Sequence, residues 1–184
     1  IFDRAYSIIA NQLGEAAPQL NLVDSSGKSL SLYDVKAPFT FVIFWDPLCG
    51  HCQIQVPELD SLYEAKWKAL GVKIFAVNTN ENTKADWEDF ITGHHLNGWM
   101  HAWQTREARL ADEASGRPNF RQLFDIIQTP TTYLLDENKK IIDYGGKEIP
   151  FDLLVTVPTN KGDELMERSG LGDDLNYVPT NKGT

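Results

Sequence analysis

The chain has 184 residues, enough for one well-cored domain with some decoration rather than two full domains. With 42% apolar residues, 11% of the chain being aromatic, it can bury a core, which excludes disorder as the default state. A formal net charge of −9, from 17 basic and 26 acidic residues, excludes a broad surface for phosphate backbones, which needs clustered Lys and Arg.

Phe2, Tyr6 and Ile9 share one helical face, so the first ten residues are expected to form a short amphipathic helix, or the remnant of a preceding region, over 1–13. Ile1–Ala10 has no signal-peptide layout, and no stretch reaches the roughly 20 apolar residues that span a bilayer. A processed or truncated product is therefore expected, with any address label outside this sequence. Leu20 and Leu22, then Leu30 and Leu32, alternate around the turn Asp24-Ser25-Ser26-Gly27-Lys28, which predicts a hairpin.

Phe39 to Trp45 is a continuous apolar run and predicts a strand buried on both faces. A helix follows, with Val56, Leu59, Leu62, Tyr63, Ala69 and Leu70 as its stripe and Gly71 as its end. Val72 to Val77 predicts another buried strand. Thr83 to His95 predicts a second helix, with Thr83 as N-cap and Trp87, Phe90, Ile91 and His94 facing inward.

Trp99 to Trp103 predicts a short strand, Thr105 to Pro118 a surface loop with room for a helical turn, and Asn119 to Phe124 a brief helix. Thr131 to Leu135 and Ile141 to Tyr144 predict strands joined by the polar turn Asp136–Lys140. This succession specifies an α/β fold, a mixed sheet with helices on both faces, over residues 14–155. The remaining 156–184 repeats Val157-Pro158-Thr159-Asn160-Lys161-Gly162 as Val178–Gly183, and this duplication suggests no function.

The two cysteines, Cys49 and Cys52, end a buried strand and open a helix. So close a pair is not a scaffold staple, because structural disulfides usually join distant segments. A thiol at a helix N-terminus faces unsatisfied N–H groups and the positive end of the dipole, which favour thiolate. Cys52 lies one turn deeper on the same face, where Cβ atoms are about 5–6 Å apart and a disulfide can close. Cys49 is thus the expected attacking thiolate and Cys52 the resolving thiol. His51 beside them is the expected tuner of the couple. Thr129-Pro130 precedes a strand, and a cis bond there would expose the Thr129 backbone as a docking edge. Trp45, Pro47, Leu48, Gly50 and Thr129 are the expected substrate-binding residues.

Taken in order, Gly14-Glu15-Ala16-Ala17-Pro18, Gly27, Phe44-Trp45, Cys49-Gly50-His51-Cys52, Pro57 and Thr129-Pro130-Thr131-Thr132 resemble the TlpA/ResA-like branch of the thioredoxin superfamily. The resemblance covers about residues 14 to 150. It implies a thioredoxin-like fold with an N-terminal β-hairpin and an insertion before the cis-Pro strand. It also implies a bacterial, extracytoplasmic enzyme, periplasmic in the expected case, that exchanges disulfides with protein thiols and is served by a membrane or soluble electron donor. No cofactor beyond the Cys49–Cys52 disulfide is expected, nor nucleic acid. Two departures stand out. Ile43 occupies the place of the buried Asp common in thioredoxins, and Gln55 that of a Glu common in this branch. Glu58, His51 or water remain as acceptors for the Cys52 proton.

Other readings compete. Zinc needs four ligands, and His94 and His95, adjacent on a helix, point apart, so no metal is expected. His94 reads as a packed or edge residue, and His101 has no evident partner. Asp46 reads as a turn or cap residue rather than a catalytic one. A peroxiredoxin-type thiol peroxidase is the rival enzyme, although Asp46 stands where peroxidatic Thr-x-x-Cys sites carry Thr. A non-catalytic binding module using the Thr129–Pro130 edge is the rival of another class.

Overall fold

The computed structural model describes residues 11–142, all within the first of the units into which the chain divides, Ile1–Ile149. The predicted helix at 1–10 and the duplicated tail lie outside them. The strands are β1 (Asn21–Val23), β2 (Ser29–Ser31), β3 (Phe39–Trp45), β4 (Lys73–Asn78), β5 (Met100–Trp103), β6 (Thr131–Asp136) and β7 (Ile141–Ile142). The helices are α1 (Gly50–Leu62), α2 (Lys84–Gly93), α3 (Arg106–Ala114) and α4 (Phe120–Leu123). The sheet order is β2-β1-β5-β4-β3-β6-β7.

β3, β4 and β5 run parallel, so their C-terminal ends lie together at one edge of the sheet. The β1–β2 hairpin and β6–β7 close the sheet with antiparallel pairs. A strand covered on both faces must be apolar throughout, and β3 is: Phe41 to Trp45 are all buried. Alternation splits their side chains between two cores. Phe44 packs on Phe120, Phe124 and Tyr133, whereas Phe41 meets Trp67 and Trp45 meets Phe90.

Two predicted elements and one side-chain reading are corrected. α1 does not continue as an α-helix to Gly71. A π turn at Tyr63–Trp67 follows, marked by Lys68 N–H donating to Tyr63 O at 2.9 Å. This register change turns Trp67 inward and leaves Ala69 and Leu70 exposed. Thr105 to Pro118 holds more than a loop with one helical turn, since α3 fills Arg106–Ala114, with Thr105 Oγ1 accepting from Ala108 N–H at 3.2 Å. It buries none of its residues, so no apolar stripe announced it. His101, lastly, has a partner: its Nε2 lies 2.8 Å from Leu96 O, with Trp87 and Trp99 against the ring.

On α2, Thr83 takes the N-cap position, but its hydroxyl donates to Asn80 O instead of accepting from the helix. Trp87 is buried, Phe90 and Ile91 are half-buried, and exposed His94 lies on the Phe90 ring.

Burial of His101 disfavours its charged form and lowers its pKa below the ordinary 6.5, with the Leu96 carbonyl opposing. The unfolded chain therefore binds a proton at a higher pH than the folded one. Stability is intact above about pH 6.5 and falls as pH drops below it, with a slope of up to about 1.4 kcal/mol per pH unit from this group. Urea unfolding between pH 7.5 and 5 should show that slope, and His101→Phe should flatten it. An unchanged slope in the variant would assign the pH dependence elsewhere.

Candidate redox site

The site begins where β3 ends. Asp46 makes the turn between strand and helix: its Oδ1 accepts from Leu48 N–H at 2.9 Å and its carbonyl from Cys49 N–H at 3.0 Å. Its Oδ2 accepts from Asn80 Nδ2 at 3.0 Å, so both carboxylate oxygens have structural partners. Cys49 is the N-cap of α1, with extended backbone, and its carbonyl accepts the first helical bond from Gln53 N–H at 3.0 Å. Gln53 Nε2 reaches back to Pro47 O at 2.9 Å, pinning the loop from the helix side.

The antiparallel register pairs Phe44 with Thr131, which carries the Thr129–Pro130 segment past the end of β3 to the redox loop. The Thr129–Pro130 peptide is cis, and Cys49 Sγ donates to Thr129 O at 3.3 Å across 80 residues of sequence. Thr131 Oγ1 caps the same loop by donating to Gln128 O at 2.7 Å.

The two thiols differ sharply. Cys49 is partly exposed, and Cys52 is fully buried in the first turn of α1. Burial resists ionisation of Cys49, yet hydrogen bonds outweigh it and hold this thiol below its ordinary value. Those bonds come from the Thr129 side chain, from Cys52 through its backbone and thiol, and from the His51 backbone. Cys52 is pushed up to about 12 by burial first, although the Asp46 backbone bond opposes it, and by the hydrogen bond and charge of Cys49. One sulfur is thus presented as a nucleophile and the other held protonated beside it.

The residues expected to bind substrate divide. Leu48 is 59% exposed, Gly50 is open to solvent and Thr129 is half-buried. Trp45 and Pro47 are buried, so neither lines a docking surface. Trp45 points into the core against Phe90, because β3 is covered on both faces up to its last residue. His51 is exposed in the first turn of α1, Pro57 sits within that helix, and Ile43 is buried. Two nearby residues had no signal in the sequence. Asn80 holds Asp46 from a neighbouring loop, and Ile127, 71% exposed, stands just before the cis bond.

Among the described residues no group of three or more His, Cys, Asp or Glu could hold a metal ion, and no helix is long and apolar enough to cross a membrane.

Residues 13–144, more than half of the chain, match the AhpC/TSA family. Thiol-disulfide oxidoreductase ResA of Bacillus thuringiensis subsp. konkukian is 28% identical over 131 residues, which are 71% of this chain and 68% of that one. A domain of a possible thiol-disulfide isomerase from Cytophaga hutchinsonii shares 34% identity with a TM-score of 0.60, over 71% of this chain and 82% of its own. The thioredoxin domain of a thiol-disulfide oxidoreductase from Bacteroides vulgatus shares 27% with a TM-score of 0.59, over 71% and 86%. Their shared fold is thioredoxin-like, and the cysteine pair sits in it at a helix start. The chain belongs to the AhpC/TSA family and, within it, is a ResA/TlpA-like thiol–disulfide oxidoreductase of the thioredoxin superfamily.

Proposed function

We propose that Cys49 and Cys52 exchange disulfides with other proteins, Cys49 attacking and Cys52 resolving. The observation that supports this most is the contrast between the thiols: one partly exposed and acidified, the other buried and pushed up to about 12. The Cys49 thiolate attacks a client disulfide, forming a mixed disulfide and releasing one client thiolate. Cys52 then loses its proton and attacks Cys49 Sγ, closing the Cys49–Cys52 disulfide and releasing the second client sulfur as thiolate. Two electrons pass to the client, and the reverse sequence oxidises it.

Forming the mixed disulfide also removes the Cys49 hydrogen bond and charge, two of the effects that hold the Cys52 proton in place. The resolving thiol therefore becomes more acidic only after the first step, which orders the two attacks. Cis-Pro130 presents the Thr129 carbonyl beside the sulfur as an edge for the client backbone. Leu48 and Gly50 line the approach, and His51 tunes the couple from the solvent side. The disulfide carries both electrons, so exchange requires no metal or organic cofactor.

The setting we infer is outside the bacterial cytoplasm, with a membrane or soluble donor returning the pair to its working state. The likeness to ResA-type thiol–disulfide oxidoreductases is what supports it. A peroxidase reading fits less well, since Asp46, in the place of the peroxidatic Thr, is committed to Leu48 and Asn80.

The test is an insulin-reduction assay run beside a hydrogen peroxide consumption assay. The wild type should speed insulin reduction by at least about tenfold over Cys49→Ser, with peroxide loss equal in both. Protein inert toward insulin and toward small disulfides would sink the proposal. Its equilibrium potential against glutathione then sets the direction: a strongly reducing value marks a reductase, and one near the isomerase range marks oxidation or shuffling.

A further inference from the structure

A polar pocket of about 250 Å³ opens at the C-terminal ends of β4 and β5, lined by Asn78, Asn80, Gln104, Arg109, Asn119 and Arg121 among others. The exchange reaction uses none of these residues. Its wall is nevertheless tied to the redox loop. Thr79 donates to Trp45 O from its backbone N–H at 2.8 Å and from its hydroxyl at 3.2 Å, and Asn80 Nδ2 donates to Asp46 Oδ2 at 3.0 Å. These bonds hold the pocket beside the residues that immediately precede Cys49.

Its wall offers groups of both kinds: the Glu81 carboxylate lines it, and Gln104, whose amide N–H goes to Asp112 at 2.8 Å, keeps its oxygen as an acceptor. Asn119 commits its amide oxygen to Gln122 N–H at 3.0 Å, leaving its amide N–H groups. Arg109 is neutralised by Glu81 at 2.6 Å and by Glu113. Arg121 is different. It has no acidic partner among the described residues, and of its five donors one is engaged, by Thr79 O at 2.7 Å. In a chain of net charge −9, this is a local cationic spot with forked donors, which a carboxylate or a phosphate satisfies, and an unmodified polypeptide client supplies the carboxylate.

We propose that the pocket takes the carboxylate of an acidic side chain in the client polypeptide, within a few residues of the client cysteine that joins Cys49. The proposal rests on the thiol-exchange reading and adds to it a rule of client choice. The molecule as a whole repels acidic peptides, so the preference belongs to one position near the cysteine and not to client charge in general.

The test uses short peptides whose single cysteine forms a mixed disulfide with an aromatic thiol. Attack by Cys49 breaks that bond, forms the Cys49–peptide disulfide and releases the coloured aromatic thiolate. Asp is placed at each of the flanking positions in turn, with Asn at the same position as its neutral control, at about 0.15 M salt to screen general repulsion. The ratio of Asp to Asn rates cancels any overall change in a variant. The ratio should reach about tenfold at one position in the wild type, a charge-assisted hydrogen bond's worth, and fall to about one in Arg121→Gln. Arg121→Lys, which keeps the charge without the fork, should retain part of it. A flat ratio at every position, or a preference that survives Arg121→Gln, would overturn the proposal while leaving thiol exchange intact. An enzyme that releases no aromatic thiolate from any peptide would overturn both.

Discussion

Incubated with a disulfide-bonded client such as insulin, Cys52→Ser should accumulate mixed disulfides visible on a non-reducing gel, at least about tenfold more than Cys49→Ser. The asymmetry follows from exposure and acidity together. Cys49 is partly exposed, lies beside the Thr129 edge and ionises readily, so it can attack without Cys52. The product then persists, because the sulfur that would resolve it is absent. In Cys49→Ser the remaining thiol loses the Cys49 charge but stays fully buried, and burial, the largest cause of its raised value, still resists its ionisation and keeps it from reaching a client. Equal trapping by both variants would reverse the assignment of roles. Loss of trapping in Cys52→Ser alone would remove Cys49 as the nucleophile.

Iodoacetamide should alkylate native, reduced protein at Cys49 about a hundredfold faster than at Cys52 at pH 7. A thiol at about 12 is ionised at that pH only on the order of one part in a hundred thousand, against a few per cent for an ordinary thiol. The higher intrinsic nucleophilicity of the more basic thiolate recovers part of that gap, with a Brønsted coefficient of about 0.4–0.5, leaving roughly two orders of magnitude before burial adds more. The midpoint of the Cys49 rate profile should lie below that of a free thiol. The rate rises with pH through that midpoint, since the thiolate is the reactive form. Thr129→Val removes a side-chain bond that favours the thiolate, and it should shift the profile upward and, after the same gain in nucleophilicity, slow alkylation at neutral pH by about threefold. Mass mapping of the alkylated cysteines gives the ratio. Comparable labelling of both sulfurs in the folded protein would sink the proposed division of labour.

The redox pair and much of the fold were legible in the residue order, and the reasons are local. β3 announced itself because a strand covered on both faces must be apolar at consecutive positions, as Phe41 to Trp45 are. The hairpin was readable from its turn, where Asp24 Oδ1 accepts from the Ser26 and Lys28 N–H groups. The brief helix at Phe120–Leu123 was readable from its capping box, Asn119 with Gln122. The failures were equally physical. α3 is charged and buries nothing, so periodicity had no core face to report. The π turn shifts the phase of a stripe that a uniform helical period assigns to Ala69 and Leu70, and only packing against Phe41 shows that Trp67 takes the inner place.

For the site, what the sequence determined by itself was which sulfurs react and where along the chain they stand, because a strand end followed by Cys-x-x-Cys and a helix is a local pattern. Tertiary structure alone decided their surroundings. Antiparallel pairing of β3 with β6 brings Thr129 to Cys49 across 80 residues, and a parallel neighbour, β4, delivers Asn80 to Asp46 across 34. It also buried Trp45 and Pro47, which their place in the sequence had set at the surface. Spacing along a chain fixes only what lies within a turn of helix or a step of strand. Ionisation, access and client contact depend on groups that folding brings from elsewhere.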